Sequence, residues 1–161
     1  MIILIKIALL FSLVLIAFQD IKDKQVNWIL FPMTAIMMFT LYQNHTTLNL
    51  SYTFLLMNIF MVSSILGILF LYTKFIRGME FLNVSFGLGD VLFFYAFAMG
   101  FPTITFLILF VCSIIFSLTI TFFRGKEYNV NGVPLAGLMS LFLIVIFSFG
   151  FIPSMPSLYN L

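Results

Sequence analysis

YTFLLMNIFMVSSILGILFLYT, residues Tyr52–Thr73, runs for 22 residues without one charged side chain. A helix of that length covers about 33 Å, enough for the roughly 30 Å hydrocarbon core of a bilayer. A helix that is apolar on every side has no face to turn to water. The stretch therefore reads as a membrane-spanning helix. Working outward, similar runs occupy Ile2–Gln19, Asn27–Tyr42, Thr103–Phe123 and Val133–Ile152, with a shorter one ending at Met99. Gly100-Phe101-Pro102 separates two of them as a tight turn, because Gly and Pro both interrupt helices.

Composition agrees with this reading. Of 161 residues, 63% are hydrophobic and 7% charged, and the mean hydropathy is +1.24. A soluble domain of this length has too little interior for so much apolar surface. The expected fold is all-α and polytopic, with about six transmembrane helices in a single domain, 1–161. The first run is expected to be retained as a helix, since Ala17-Phe18-Gln19 lacks the small-residue cleavage pattern of a signal peptide. The fourth helix is expected to begin near Phe81, which brings it close to the ~20 residues of a span. A net charge of +2 with no basic cluster excludes a nucleic-acid partner. One cysteine, Cys112, excludes an internal disulfide, and with one histidine, His45, a hydrolytic metal site lacks its usual three ligands.

Orientation follows from the basic residues. Lys22 and Lys24, Lys74 and Arg77, and Arg124 and Lys126 fall in alternate inter-helix segments, whereas Gln43–Ser51 and Gly100–Pro102 carry none. Positive loops stay cytoplasmic, so both termini are expected outside the cytoplasm, in the cytoplasmic (inner) membrane. Lys6 alone departs, close enough to the chain start to snorkel outward. Trp28, Tyr42, Tyr52 and Tyr72 fall near span ends and fit an interfacial aromatic belt.

The chain has five acids: Asp20, Asp23, Glu80, Asp90 and Glu127. An ionisable residue at membrane depth points to function, and Asp90, after Gly87-Leu88-Gly89, opens an apolar run. Asp20 ends the first run, on the same expected membrane side. Two neighbouring carboxyls do not both ionise easily, so one serves as general base towards water while the other polarises a carbonyl. Gly87 and Gly89, lacking side chains, let an extended substrate backbone come close. Each acid also has a plainer reading: Asp20 balancing Lys22 and Lys24, and Asp90 capping a helix start. Asp23, one turn from Asp20, can share its face but is read as solvated. Glu80 and Glu127 offset neighbouring basic residues.

Gly87-Leu88-Gly89-Asp90 resembles the GxGD motif of type IV prepilin peptidases and archaeal preflagellin peptidases, a family of membrane aspartyl proteases. Asp20-Ile21-Lys22-Asp23-Lys24-Gln25-Val26 is similar to the family's block after its first core helix, and Val133-Pro134-Leu135-Ala136 to the start of its last. The resemblance covers the whole chain in order. It implies an endopeptidase, with Asp20 and Asp90 as catalytic pair and no cofactor. The enzyme would cut the short basic leader of prepilin-like precursors at the cytoplasmic membrane face, serving type IV pilus assembly or protein secretion. Asn27-Trp28 stands where the family usually has Pro-Asn. The paired cysteines of the methylating domain found in many bacterial members are absent, so no methyltransferase domain is expected.

Two other classes compete. A small proton-coupled transporter would need a polar path across the membrane, whereas the charged residues here gather towards one face. A non-catalytic membrane subunit of a pilus or secretion assembly would tolerate loss of either aspartate. Asn58, in the middle of its run, is expected to bond a neighbouring helix.

Overall fold

Long runs of Leu, Ile, Phe and Met satisfy their backbone hydrogen bonds most completely as helices when water is scarce. The computed structural model describes residues 2–78, 87–124, 133–149 and Tyr159. Six α-helices account for most of these: α1 (Ile2–Asp23), α2 (Leu30–Gln43), α3 (Leu48–Tyr72), α4 (Leu88–Ala98), α5 (Thr103–Arg124) and α6 (Leu135–Phe149). The chain is all-α as expected, with no strand among the described residues. A π-helical turn, Thr73–Arg77, extends α3, and Gly78 in the left-handed region (φ 63°) ends it. Three helices are long and apolar enough to cross a membrane: α1, Leu48–Phe75 and Thr103–Phe123. The other three are apolar but shorter, at 14, 11 and 15 residues.

Three expectations need correction. The fourth helix begins at Leu88, not near Phe81, which lies outside the described residues. Gly87 is extended (φ −70°, ψ 138°), and its carbonyl accepts from both Asp90 and Val91, so the first turn closes there. The first helix does not end at Gln19, and Asp20 lies within it. The helix continues four residues past Gln19, until Lys24 turns left-handed (φ 52°). Tyr42 is not in an interfacial belt but buried in the core, whereas Trp28, Tyr52 and Tyr72 are exposed. Glu80, Lys126 and Glu127 also lie outside the described residues.

Helix α1 lies chiefly against α6 and α2; α2 also packs on α4, and α5 on α6. Between them is a core of Leu13, Ile16, Phe31, Met38, Phe97 and Met139. Phe97 is its aromatic centre, with ring centroids 5.7 Å from Phe106, 5.8 Å from Phe101 and 5.9 Å from Phe110. Asn58, fully buried on α3, donates through Nδ2 to the carbonyls of Ala98 (3.0 Å) and Phe101 (2.9 Å). It thereby fastens the end of α4 and the Gly100-Phe101-Pro102 turn. The helix-bonding role expected of it holds.

Candidate functional site

Both aspartates continue the inward stripe of their helix. On α1 the buried positions Leu9, Leu13, Ile16 and Ala17 recur at three and four residues, and the next turn of that face is Asp20. On α4 the buried stripe of Phe93, Phe94 and Phe97 extends backwards to Asp90. Each acid is half-buried at the end of a packed face. Asp23, the last residue of α1, is exposed.

The start of α6 is where they meet. A helix leaves its first backbone N–H groups without intrahelical partners. Pro134, whose carbonyl accepts from Leu138, heads α6 and has no side-chain oxygen with which to cap it. The carboxylates from the other two helices take that place. The Ala136 N–H donates to Asp90 Oδ1 at 2.8 Å, and the Gly137 N–H to Asp20 Oδ2 at 2.5 Å. Consecutive amides therefore hold the two acids side by side, close enough that the Asp20 charge acts on Asp90.

Two glycines border this arrangement. A Cβ on Gly87 would stand 2.9 Å from Asp90 Oδ2. A Cβ on Gly137 would stand 2.9 Å from Asp20 Cβ, 3.0 Å from Asp20 Oδ2 and 3.2 Å from Ile21 Cγ1, so α1 and α6 meet where no side chain fits. Gly89 is less confined: its Cβ would meet Phe31 Cζ at an ordinary 3.5 Å. The turn after α1 is tied by Asn27, whose N–H donates to Gln19 Oε1 at 3.0 Å and whose Oδ1 accepts from Ile29 at 3.2 Å. A proline at position 27 would have no N–H for the first of these bonds.

The structure thus joins Asp20, Asp90 and Gly87 and leaves Asp23 apart. His45 stacks on Tyr159, with centroids 4.7 Å apart, and Cys112 is exposed on α5. Among the described residues no three His, Cys, Asp or Glu side chains group as metal ligands. Sequence reasoning missed the amides of Ala136 and Gly137. One signal was present: glycine in a helix costs up to about 1 kcal/mol relative to alanine, so a glycine in the first turn of an apolar helix implies a close approach.

Comparison with known proteins gives no match, whether to a family model, a curated protein or a solved structure.

Proposed function

We propose that this chain is a membrane aspartyl endopeptidase of the prepilin peptidase type, with Asp20 and Asp90 as its catalytic pair. The observation that carries this reading is the meeting of the two acids, 70 positions apart in the chain, on consecutive amides at the head of a third helix. A single carboxylate has two acceptor oxygens, so capping two consecutive amides does not by itself call for a second acid beside the first.

In the proposed reaction one carboxylate, ionised, takes a proton from a water molecule held between the acids. The other, protonated, donates a hydrogen bond to the scissile carbonyl oxygen. Water oxygen bonds to the carbonyl carbon, giving a tetrahedral intermediate without a covalent link to the protein. As the C–N bond breaks, the leaving nitrogen takes up a proton and the pair recovers its single shared proton. Gly87 and Gly89 leave room for the extended substrate backbone. The substrate class is a precursor with a short basic leader followed by a hydrophobic helix that docks laterally from the bilayer. The proposed placement is a multi-pass protein of the cytoplasmic membrane, with both termini outside and the pair at the cytoplasmic face. The distribution of Lys and Arg supports it.

A second reading, a non-catalytic subunit of a pilus or secretion assembly, draws on the same hydrogen bonds, in which the pair only caps α6. Co-expression with a prepilin-type precursor separates the two, with cleavage followed by mass. The peptidase reading expects Asp20→Asn and Asp90→Asn to lower cleavage at least about a thousandfold, while Asp23→Asn still cuts. Cleavage that persists in both catalytic variants, or a wild type that cuts none of several leaders, would refute it.

A further inference from the structure

Gly137 sits opposite Asp20, 117 residues away in sequence. Its N–H bonds the Asp20 carboxylate, and a Cβ at this position would fall 2.9 Å from Asp20 Cβ, with Ile21 Cγ1 at 3.2 Å. Real Cβ atoms essentially never approach another carbon as closely as 2.9 Å. The obstructing atom is Asp20 Cβ, fixed to the α1 backbone, so no rotamer change makes room. The preceding residue, Ala136, is buried and presents its N–H to Asp90.

We infer that Gly137 is a positioning residue for the aspartate pair: its missing side chain sets how closely α1 approaches α6, and its amide, with that of Ala136, sets the spacing between the two carboxylates. This inference rests on the peptidase reading of the pair. Gly137 touches no substrate; it acts through Asp20. The glycine is needed at this point and not throughout the bundle. A Cβ at Gly67 would meet nothing within 4 Å, and one at Gly100 would meet only the Met38 side chain, at 3.2 Å. Of the Met38 atoms met at 3.2 Å, Sδ is the movable end of a flexible side chain, and Cβ needs to give only a few tenths of an ångström, less than the 2.9 Å approach to Asp20 Cβ demands.

In Gly137→Ala, α1 must move outward by several tenths of an ångström or more. That separates Asp20 from Asp90 while leaving the substrate's hydrophobic helix its docking surface. Displacements approaching 1 Å in a catalytic pair lower rates by about a hundredfold. The expected result for the full-length protein in membranes is a kcat about a hundredfold lower, an unchanged KM for the precursor and an altered pH profile of kcat. Gly100→Ala and Gly67→Ala are expected to cleave as wild type does.

A second variant tests the amides without the added methyl. Ala136→Pro removes the N–H that faces Asp90, at a first-turn position where a helix tolerates proline, and it too is expected to lower kcat and alter the pH profile. The approach itself is read without activity. In a Cys112→Ala background, the double variant Asp20→Cys, Gly137→Cys should form a disulfide on mild oxidation, because Cβ atoms so near need little movement to reach the mean spacing of about 3.8 Å.

Failure of that disulfide to form, or Gly137→Ala cleaving with wild-type kcat and pH profile, overturns the positioning role and leaves the peptidase reading intact. An equal loss of kcat in Gly100→Ala would also overturn it, since any packing defect would then suffice. A wild type that cleaves no precursor, with the disulfide formed, refutes the peptidase reading, and the role of Gly137 falls with it.

Discussion

Asn58 is the polar residue whose removal has the most readable consequence. It is fully buried, and its Nδ2 holds two carbonyls, Ala98 O at 3.0 Å and Phe101 O at 2.9 Å. Replacement by leucine keeps the number and branching of the side-chain heavy atoms but strands both acceptors. Each stranded carbonyl costs about 1 kcal/mol or more; side-chain hydrogen bonds inside membrane proteins average about 0.6 and reach about 1.7 kcal/mol. Asn58 also carries a debit of its own, because its Oδ1 is buried without a partner, and leucine removes that. The net destabilisation for Asn58→Leu is therefore about 1–2 kcal/mol. Using soluble domains of similar size as a guide, that is a fall in melting temperature of about 2–8 °C.

Asn58→Asp discriminates further. It places an oxygen where the donor was, facing two carbonyls, and it must either bury a charge or donate a single bond as the neutral acid. It should therefore melt below Asn58→Leu. The assay is thermal unfolding of the purified protein in detergent, with wild type and both variants side by side. A leucine variant melting within 1 °C of wild type, or an aspartate variant more stable than the leucine one, would refute the account of Asn58 as the clamp on α4.

Other perturbations have definite expected outcomes. Gly87→Ala should lower cleavage at least about tenfold, since its Cβ would crowd Asp90 Oδ2 at 2.9 Å; wild-type turnover would show that the carboxylate conformation is irrelevant. Gly89→Ala meets only ordinary contacts and gains helix propensity of up to about 1 kcal/mol, so it should melt no lower than wild type yet cleave more slowly as the methyl obstructs the substrate backbone. Unchanged cleavage would remove Gly89 from the substrate path. Phe97→Ala, at the centre of the aromatic cluster, should destabilise by about 3–5 kcal/mol, measured by the same thermal unfolding; a loss below 1 kcal/mol would contradict the packing described. Cys112, exposed on a helix long and apolar enough to span, should resist a membrane-impermeant maleimide in sealed vesicles and react after detergent is added. Ready labelling in vesicles would place that face of α5 in water.

Helix content, the turn at Gly100-Phe101-Pro102, the bonding role of Asn58 and the two leading acids were legible from the sequence alone. These follow from composition and from local rules: apolar runs close their own backbone bonds, Gly and Pro punctuate them, and an acid in an apolar run stands out by its desolvation cost. Helix boundaries were less legible. Asp20 reads as the end of the first run, where hydropathy falls, but the α1 backbone stays helical through Asp23. Tyr42 reads as interfacial by position, yet its ring is buried in the core.

The tertiary structure alone decided where the two acids meet and which groups hold them there: the Ala136 and Gly137 amides at the head of α6. Asp20 and Asp23 lie one helical turn apart and are equivalent by spacing, but only Asp20 continues the stripe that α1 presses against α6. Nothing local to Gly137 in the sequence links it to Asp20, because their contact spans 117 residues. A sequence encodes which groups need partners, whereas the partner each finds depends on how several helices pack at once. Here the unpaired amides of α6 and the carboxylates of α1 and α4 satisfy one another only when all three helices are in place.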